Sequence, residues 1–249
     1  MSWLGLAWAH IERTRAEWIA ALACLVGVTA IAAWQGYGLS AGLALIGLLA
    51  GGFISILIHE LGHALGAWLV GWRVWIISAL PVCLRLGHSL RFSAALHHDV
   101  GGFVLASPVR AAHERRWRSI VFTAAGPLAS LISGPAFIYW LASFPAGSWQ
   151  SPHMAGLLGG LLALGFHSSA AAAFTLWPHR SASGHPSDML MILRALFGPS
   201  LPEREAALGW AGALFEHGVE PRAWPDWMRE GVALAGSYAP ELAFAAALE

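Results

Sequence analysis

Charged residues are scarce in this chain. Of its 249 residues only 11% are charged, whereas 57% are hydrophobic, and a soluble domain of average composition carries about 25% charged residues. The basic residues are all arginine, lysine is absent, and the formal net charge is zero. The composition therefore favours an integral membrane protein. Because no basic tract is long enough to hold a phosphate backbone, we expect no nucleic-acid partner.

Cysteine is equally scarce, with only Cys24 and Cys83 in the chain. Two cysteines are too few for a disulfide framework or a zinc ribbon, so we interpret both as structural. The N-terminal segment does not fit a cleavable signal peptide, because its apolar run is long enough to cross a bilayer.

Long apolar runs are abundant, and a spanning helix needs about 20 such residues. The second of four candidate spans is longer than an upright helix requires, so it is predicted to tilt, protrude, or break near Gly51-Gly52. The four spans cover approximately residues 17–34, 39–70, 119–144 and 154–177.

The segments outside these spans have other patterns. Between the second and third spans, short runs rich in branched and aromatic residues predict a small sheet or set of hairpins. After a turn-rich stretch, an amphipathic helix begins near Asp188, and apolar spacing predicts further helices over 203–218 and 241–249. The predicted fold is an all-α polytopic membrane protein of about four transmembrane helices, with a β-rich insertion and a helical C-terminal appendage. We divide it into a membrane-embedded core (1–198, insertion about 72–110) and a small cytoplasmic tail (199–249).

The arginines predict the orientation in the lipid bilayer. They lie in the N-terminal segment, in the loop 71–118 and after residue 178, whereas the loops around 35–38 and 145–153 have none. With four spans, all arginine-bearing parts fall on one side, which the positive-inside rule makes cytoplasmic. We expect a multi-pass protein of a bacterial cytoplasmic membrane with both termini in the cytoplasm.

The second apolar run contains His59-Glu60-Leu61-Gly62-His63, which fits the pattern HExxH. Residues four apart lie on one face of a helix, so both imidazoles can bind one zinc ion. Glu60 can take a proton from a water that the metal activates and pass it to a leaving amine. An ordinary solvated helix surface is a weak alternative here, because ionisable side chains within a membrane are costly.

A catalytic zinc site of this kind needs a third protein ligand. Asp188 follows the fourth span on the same cytoplasmic side, and its carboxylate would complete the set. It would equally serve as the N-cap of the helix that follows, and the spacing leaves both interpretations open. His167, within the fourth span, is interpreted as a packed histidine, with a hydrogen bond to the reacting oxyanion as the alternative.

Three segments together resemble the site-2 protease family of intramembrane zinc metalloproteases. HELGH (59–63) lies in a span, AGPLAS (125–130) is similar to the family's AGPxxN segment, and FTLWPHRSASGHPSDML (174–190) is similar to FNLLPxxPLDGG. The resemblance covers about residues 40–197. It implies an endopeptidase that cleaves membrane proteins or peptides within or beside transmembrane segments. It also implies one Zn²⁺ ion held by His59, His63 and Asp188, with Glu60 as the acid/base.

The chain departs from the family pattern at several positions. Thr175 stands near the family's asparagine, so Thr175 joins His167 as a candidate contact to the substrate or transition state. Ser130 replaces a common asparagine, Met189 replaces a glycine, and the turn before Asp188 is long. These departures concern substrate handling more than zinc binding.

Two questions stay open at this level. The strands of the insertion could pair with an unwound substrate segment, or they could only cover the cytoplasmic mouth of the site. The chain could also be a catalytically silent membrane protein that keeps a structural metal site and acts as a binding or regulatory module. The presence of Glu60 speaks against that alternative, because a structural zinc needs no base.

Overall fold

The computed structural model describes residues 38–79, 82–86, 89–92, 101–110, 115–181, 186–198, 203–216 and 218–235. The first predicted span (17–34), Cys24 and the helix predicted over 241–249 lie outside these residues. Two short 3₁₀ helices, Ala146–Gln150 and Pro221–Ala223, accompany the main elements. Those elements are α1 (Gly38–Leu69), β1 (Trp72–Ala79), β2 (Val82–Arg85), β3 (Ser89–Phe92), β4 (Gly102–Pro108), α2 (Arg116–Ala142), α3 (Pro152–Thr175), α4 (Asp188–Phe197), α5 (Glu203–Glu216) and α6 (Asp226–Ala235).

Three helices are long and apolar enough to cross a membrane, namely α1, α2 and α3. They coincide with the second, third and fourth predicted spans, so a mostly helical membrane protein with a small sheet is confirmed. The helix α1 is continuous through Gly51-Gly52, and the break considered there does not occur.

Glycines allow α1 and α3 to approach closely. A Cβ atom on Gly47 would lie 2.0 Å from the carbonyl oxygen of Gly156, and one on Gly51 would lie 2.4 Å from that of Gly160. Lipid tails are as apolar as leucine, so helices in a membrane are held by close packing rather than by the hydrophobic effect. The glycines therefore permit the close contact of α1 with α3.

The substitution Gly47→Ala is expected to destabilise the protein by about 1–3 kcal/mol, because its methyl group needs space that the α3 backbone occupies. Gly42→Ala is the matched control on the same helix, since no described atom lies within 4 Å of its Cβ position. Alanine favours helix over glycine by about 0.5–1 kcal/mol, so the control should be neutral or stabilising. Thermal loss of helical circular dichroism in one detergent measures both, and equal midpoints would contradict the close packing.

The predicted sheet has four antiparallel strands in the order β3-β2-β1-β4, and β1 pairs with β4 along its whole length. One face of the sheet packs on the C-terminal end of α1 and the N-terminal end of α2 through Trp72 and Ala106. The other face buries Trp75 and Ile76. These neighbours share a face because the register shifts between Val74 and Ile76, which interrupts the usual alternation.

The tail helices α5 and α6 cover that second face of the sheet. Leu214, Met228 and Val232 are fully buried against it, and the indole N–H of Trp227 donates to the carbonyl of Pro108 at 3.2 Å. Cys83 is buried in the same cluster. The division at residue 198 stays a prediction, but the tail is in direct contact with the sheet.

The helix α6 was not predicted from the sequence. Pro225 precedes it, Asp226 is its first residue, and Met228 and Val232 are four residues apart on its buried side. These are recognisable signals for a helix.

Candidate metal centre

The two histidines of HELGH lie side by side on α1. Their Nε2 atoms are 3.2 Å apart, and each residue is only 7% exposed. This follows from the four-residue spacing, which places both side chains on one face of the helix.

Asp188 joins them from the first turn of α4. One carboxylate oxygen lies 3.4 Å from Nε2 of His59, and the other lies 3.6 Å from Nε2 of His63. The N-cap interpretation of Asp188 is wrong, because Ser187 is the N-cap of α4 and its hydroxyl accepts from the backbone N–H of Leu190. The carboxylate of Asp188 therefore faces the histidines.

A second layer of contacts orients both imidazoles, and it comes from α2. Nδ1 of His63 lies 3.0 Å from the carbonyl oxygen of Phe122, and Nδ1 of His59 lies 2.9 Å from the hydroxyl of Ser130. A carbonyl only accepts, so Nδ1 of His63 carries a proton, and the neutral imidazole then keeps its lone pair on Nε2. When Nδ1 of His59 likewise donates to Ser130, both Nε2 lone pairs point at Asp188.

The donor set fits a zinc ion. Lone pairs and a carboxylate that converge on one point repel each other unless a cation or proton lies between them. Two ligand atoms bound to a tetrahedral zinc ion at 2.0–2.1 Å are about 3.3–3.4 Å apart, and the observed separations are 3.2, 3.4 and 3.6 Å. Each histidine also has the outer hydrogen-bond partner that metal-bound imidazoles usually have.

Two glycines make room for the site. A Cβ atom on Gly126 would lie 2.2 Å from Nε2 of His63, and one on Gly102 would lie 2.7 Å from Oε1 of Glu60. Glu60 is 5% exposed, and β4 begins directly beside its side chain. The sequence did not indicate these two steric roles, and it marked Ser130 only as a departure from a motif.

The two remaining predicted residues, His167 and Thr175, make no hydrogen bond to this cluster among the described residues. Nδ1 of His167 donates to the carbonyl of Ala163 in its own helix at 2.9 Å. Its ring lies against Gly52, which precedes His59 by about 10 Å along α1. The hydroxyl oxygen of Thr175, at the end of α3, is buried and has no hydrogen-bond partner among the described residues.

The fold and the donor set define the class: a polytopic membrane protein with a largely buried His-His-Asp cluster that could hold a metal ion. The family model described as peptidase family M50 matches residues 47–241, and the chain belongs to this family, the site-2 protease family. The resemblance drawn from the three motifs is thereby confirmed, and membership implies an intramembrane metalloprotease. The match extends through α5 and α6. No match was found among curated proteins or among solved structures.

Proposed function

We propose that this protein is a zinc endopeptidase that hydrolyses peptide bonds within or beside transmembrane segments of membrane proteins. One observation carries the proposal: donor atoms of His59, His63 and Asp188 converge at 3.2–3.6 Å beside a buried glutamate, on and next to helices able to cross a membrane. The arginine distribution supports a site near the cytoplasmic face, with both termini on that side.

His59, His63 and Asp188 would hold the metal, and the carboxylate would offset part of its charge. When bound, zinc supplies a Lewis acid that polarises the scissile carbonyl and makes water more acidic. The carbonyl of Phe122 keeps His63 in the tautomer that binds through Nε2, and Ser130 does the same for His59 when its hydroxyl accepts from Nδ1. The metal ligands are thereby preorganised by α2.

Glu60 is the proposed base. Its carboxylate takes a proton as a water oxygen attacks the carbonyl carbon, and it returns that proton to the amine nitrogen when the C–N bond breaks. The side chain is almost completely buried and lies beside the start of β4. This enclosure keeps bulk water from competing for the proton.

The edge of β4 is the proposed guide for the substrate. A helical peptide bond is shielded by its neighbours, so a transmembrane substrate must be extended before cleavage. Among the described strands β4 pairs only with β1, and its first residue, Gly102, is next to Glu60. An extended segment added to this edge would therefore reach the base. The alternative, in which the sheet only covers the site, involves no such pairing.

The proposal is tested by zinc content and by cleavage of a panel of single-span membrane proteins. The purified wild-type protein should hold one zinc and cut at least one member of the panel. Asp188→Asn should lower zinc affinity at least about tenfold, the loss that even outer-sphere partners can cause. Asp226→Asn is the matched control, since Asp226 also begins a helix but is exposed and pairs with Arg229.

Each further outcome has a distinct meaning. A wild-type protein without zinc contradicts the proposal. Zinc bound through Asp188 with no cleavage of any substrate favours the catalytically silent alternative, in which the same residues form a structural site.

A further inference from the structure

We propose that the C-terminal helices position the metal ligand His63 through a chain of aromatic rings, and that Trp210 of α5 is the positioning residue at its outer end. The inference rests on the proposed function, because the ion that His63 would bind is zinc. It assigns a role to the tail that the catalytic motifs do not reveal.

The rings form an unbroken series from the tail to the site. The centroids of Trp210 and Trp72 are 5.2 Å apart, those of Trp72 and Phe122 are 5.3 Å apart, and those of Phe122 and His63 are 5.5 Å apart. All three separations lie within the range of about 4.5–7 Å that favourable aromatic pairs show. Each ring is thus in contact with the next.

Trp72, in the middle of this series of rings, is tightly enclosed. Trp72 is only 4% exposed, and Ala67, Val70 and Ala106 pack around it. Gly71, with φ of +74°, makes the turn that places Trp72 directly after the end of α1. Because protein interiors are close-packed, loss of one ring is met by movement of its neighbours.

Phe122 connects this packing to the ligand geometry. Its ring contacts the ring of His63, and its carbonyl accepts the Nδ1–H bond of the same histidine at 3.0 Å. A shift of Phe122 therefore changes the hydrogen bond that orients the metal ligand. Trp210 acts on His63 through this residue and not by direct contact.

A tail that only stabilises the sheet is the competing explanation, and α5 offers a matched control. Leu214 lies one turn after Trp210 and is fully buried in the cluster with Trp75 and Ile76. Trp210 packs against that cluster as well as against the one around Trp72, whereas Leu214 belongs only to the first. Leu214→Ala should therefore lower the thermal midpoint without removing a ring from the series that ends at His63. Trp210→Phe should preserve the contact to Trp72.

The test uses the full-length protein in lipid nanodiscs, with Zn²⁺ affinity measured by chelator competition and the visible spectrum recorded for Co²⁺. We expect Trp210→Ala to weaken zinc binding by about 3- to 30-fold and to alter the Co²⁺ spectrum. We expect Trp210→Phe and Leu214→Ala to bind zinc within about twofold of wild type. If Trp210→Ala does not accumulate, Trp210→Leu takes its place.

Three results would overturn the inference. Wild-type zinc affinity in Trp210→Ala or Trp210→Leu would show that the aromatic rings do not couple the tail to His63. An equal loss in Leu214→Ala would show that only tail stability matters. Strictly additive losses in Trp210→Ala combined with Phe122→Leu would show that the two residues act independently. A wild-type protein that binds neither Zn²⁺ nor Co²⁺ would instead refute the proposed function. The wild-type measurement comes before those of the variants, so the two failures are distinguishable.

Discussion

The substitution Glu60→Gln is expected to slow peptide cleavage by about 10²–10⁴-fold, the usual contribution of a positioned acid/base. Glutamine keeps the size of the side chain but cannot accept the proton of the attacking water. Zinc content should stay unchanged, because Glu60 is not among the three converging donors. Single-turnover cleavage with metal analysis of the same preparation measures both quantities.

The control for this prediction is Glu220→Gln, which makes the same chemical change at an exposed residue paired with Arg222 in the tail. It should cleave at the wild-type rate. Cleavage by Glu60→Gln at that rate would mean that another group moves the proton. Loss of zinc from Glu60→Gln would mean that Glu60 acts as a ligand.

Gly126→Ala is expected to weaken zinc binding by at least about 10–100-fold, and cleavage should fall with it. Its new methyl carbon would lie 2.2 Å from Nε2 of His63, so either the imidazole turns away or α2 separates from α1. Gly134→Ala is the matched control, because it adds the same methyl group to α2 away from the site. Its Cβ would lie 2.4 Å from the hydroxyl oxygen of Ser169 in α3. Overpacking at either position costs about 1–3 kcal/mol of stability.

Comparison of these two variants distinguishes an effect on the metal site from an effect on helix packing. Both should unfold at a lower temperature, but only Gly126→Ala should lose metal affinity. Equal losses of zinc would indicate that the site depends on general helix packing and not on the space beside His63.

Sequence reasoning predicted the parts of this molecule that depend on local pattern. Hydropathy located α1, α2 and α3, and the spacing of His59 and His63 placed both imidazoles on one helical face. The strands were recognised from branched and aromatic residues between turns. Each of these features is determined by residues close to one another in the chain.

Features that depend on distant contacts were not predictable in the same way. Asp188 was ambiguous between cap and ligand until Ser187 proved to be the N-cap. Gly102 and Gly126 resemble other glycines until the side chains of Glu60 and His63 are placed beside them. The packing of α5 on the sheet, with Trp210 against Trp72, likewise has no local signal.

The wide separation of the proposed ligands along the chain has a consequence for biosynthesis. His59 and His63 leave the ribosome well before Asp188, and synthesis at about 5–20 residues per second makes that delay several seconds or longer. Phe122 and Ser130, which orient the imidazoles, also arrive later than the histidines. A nascent chain therefore carries HELGH before the third proposed ligand exists, and under the proposed function proteolytic capacity would arise only once α4 is made and docked. Under the proposed function, the order of synthesis itself would protect neighbouring membrane proteins that are still being assembled.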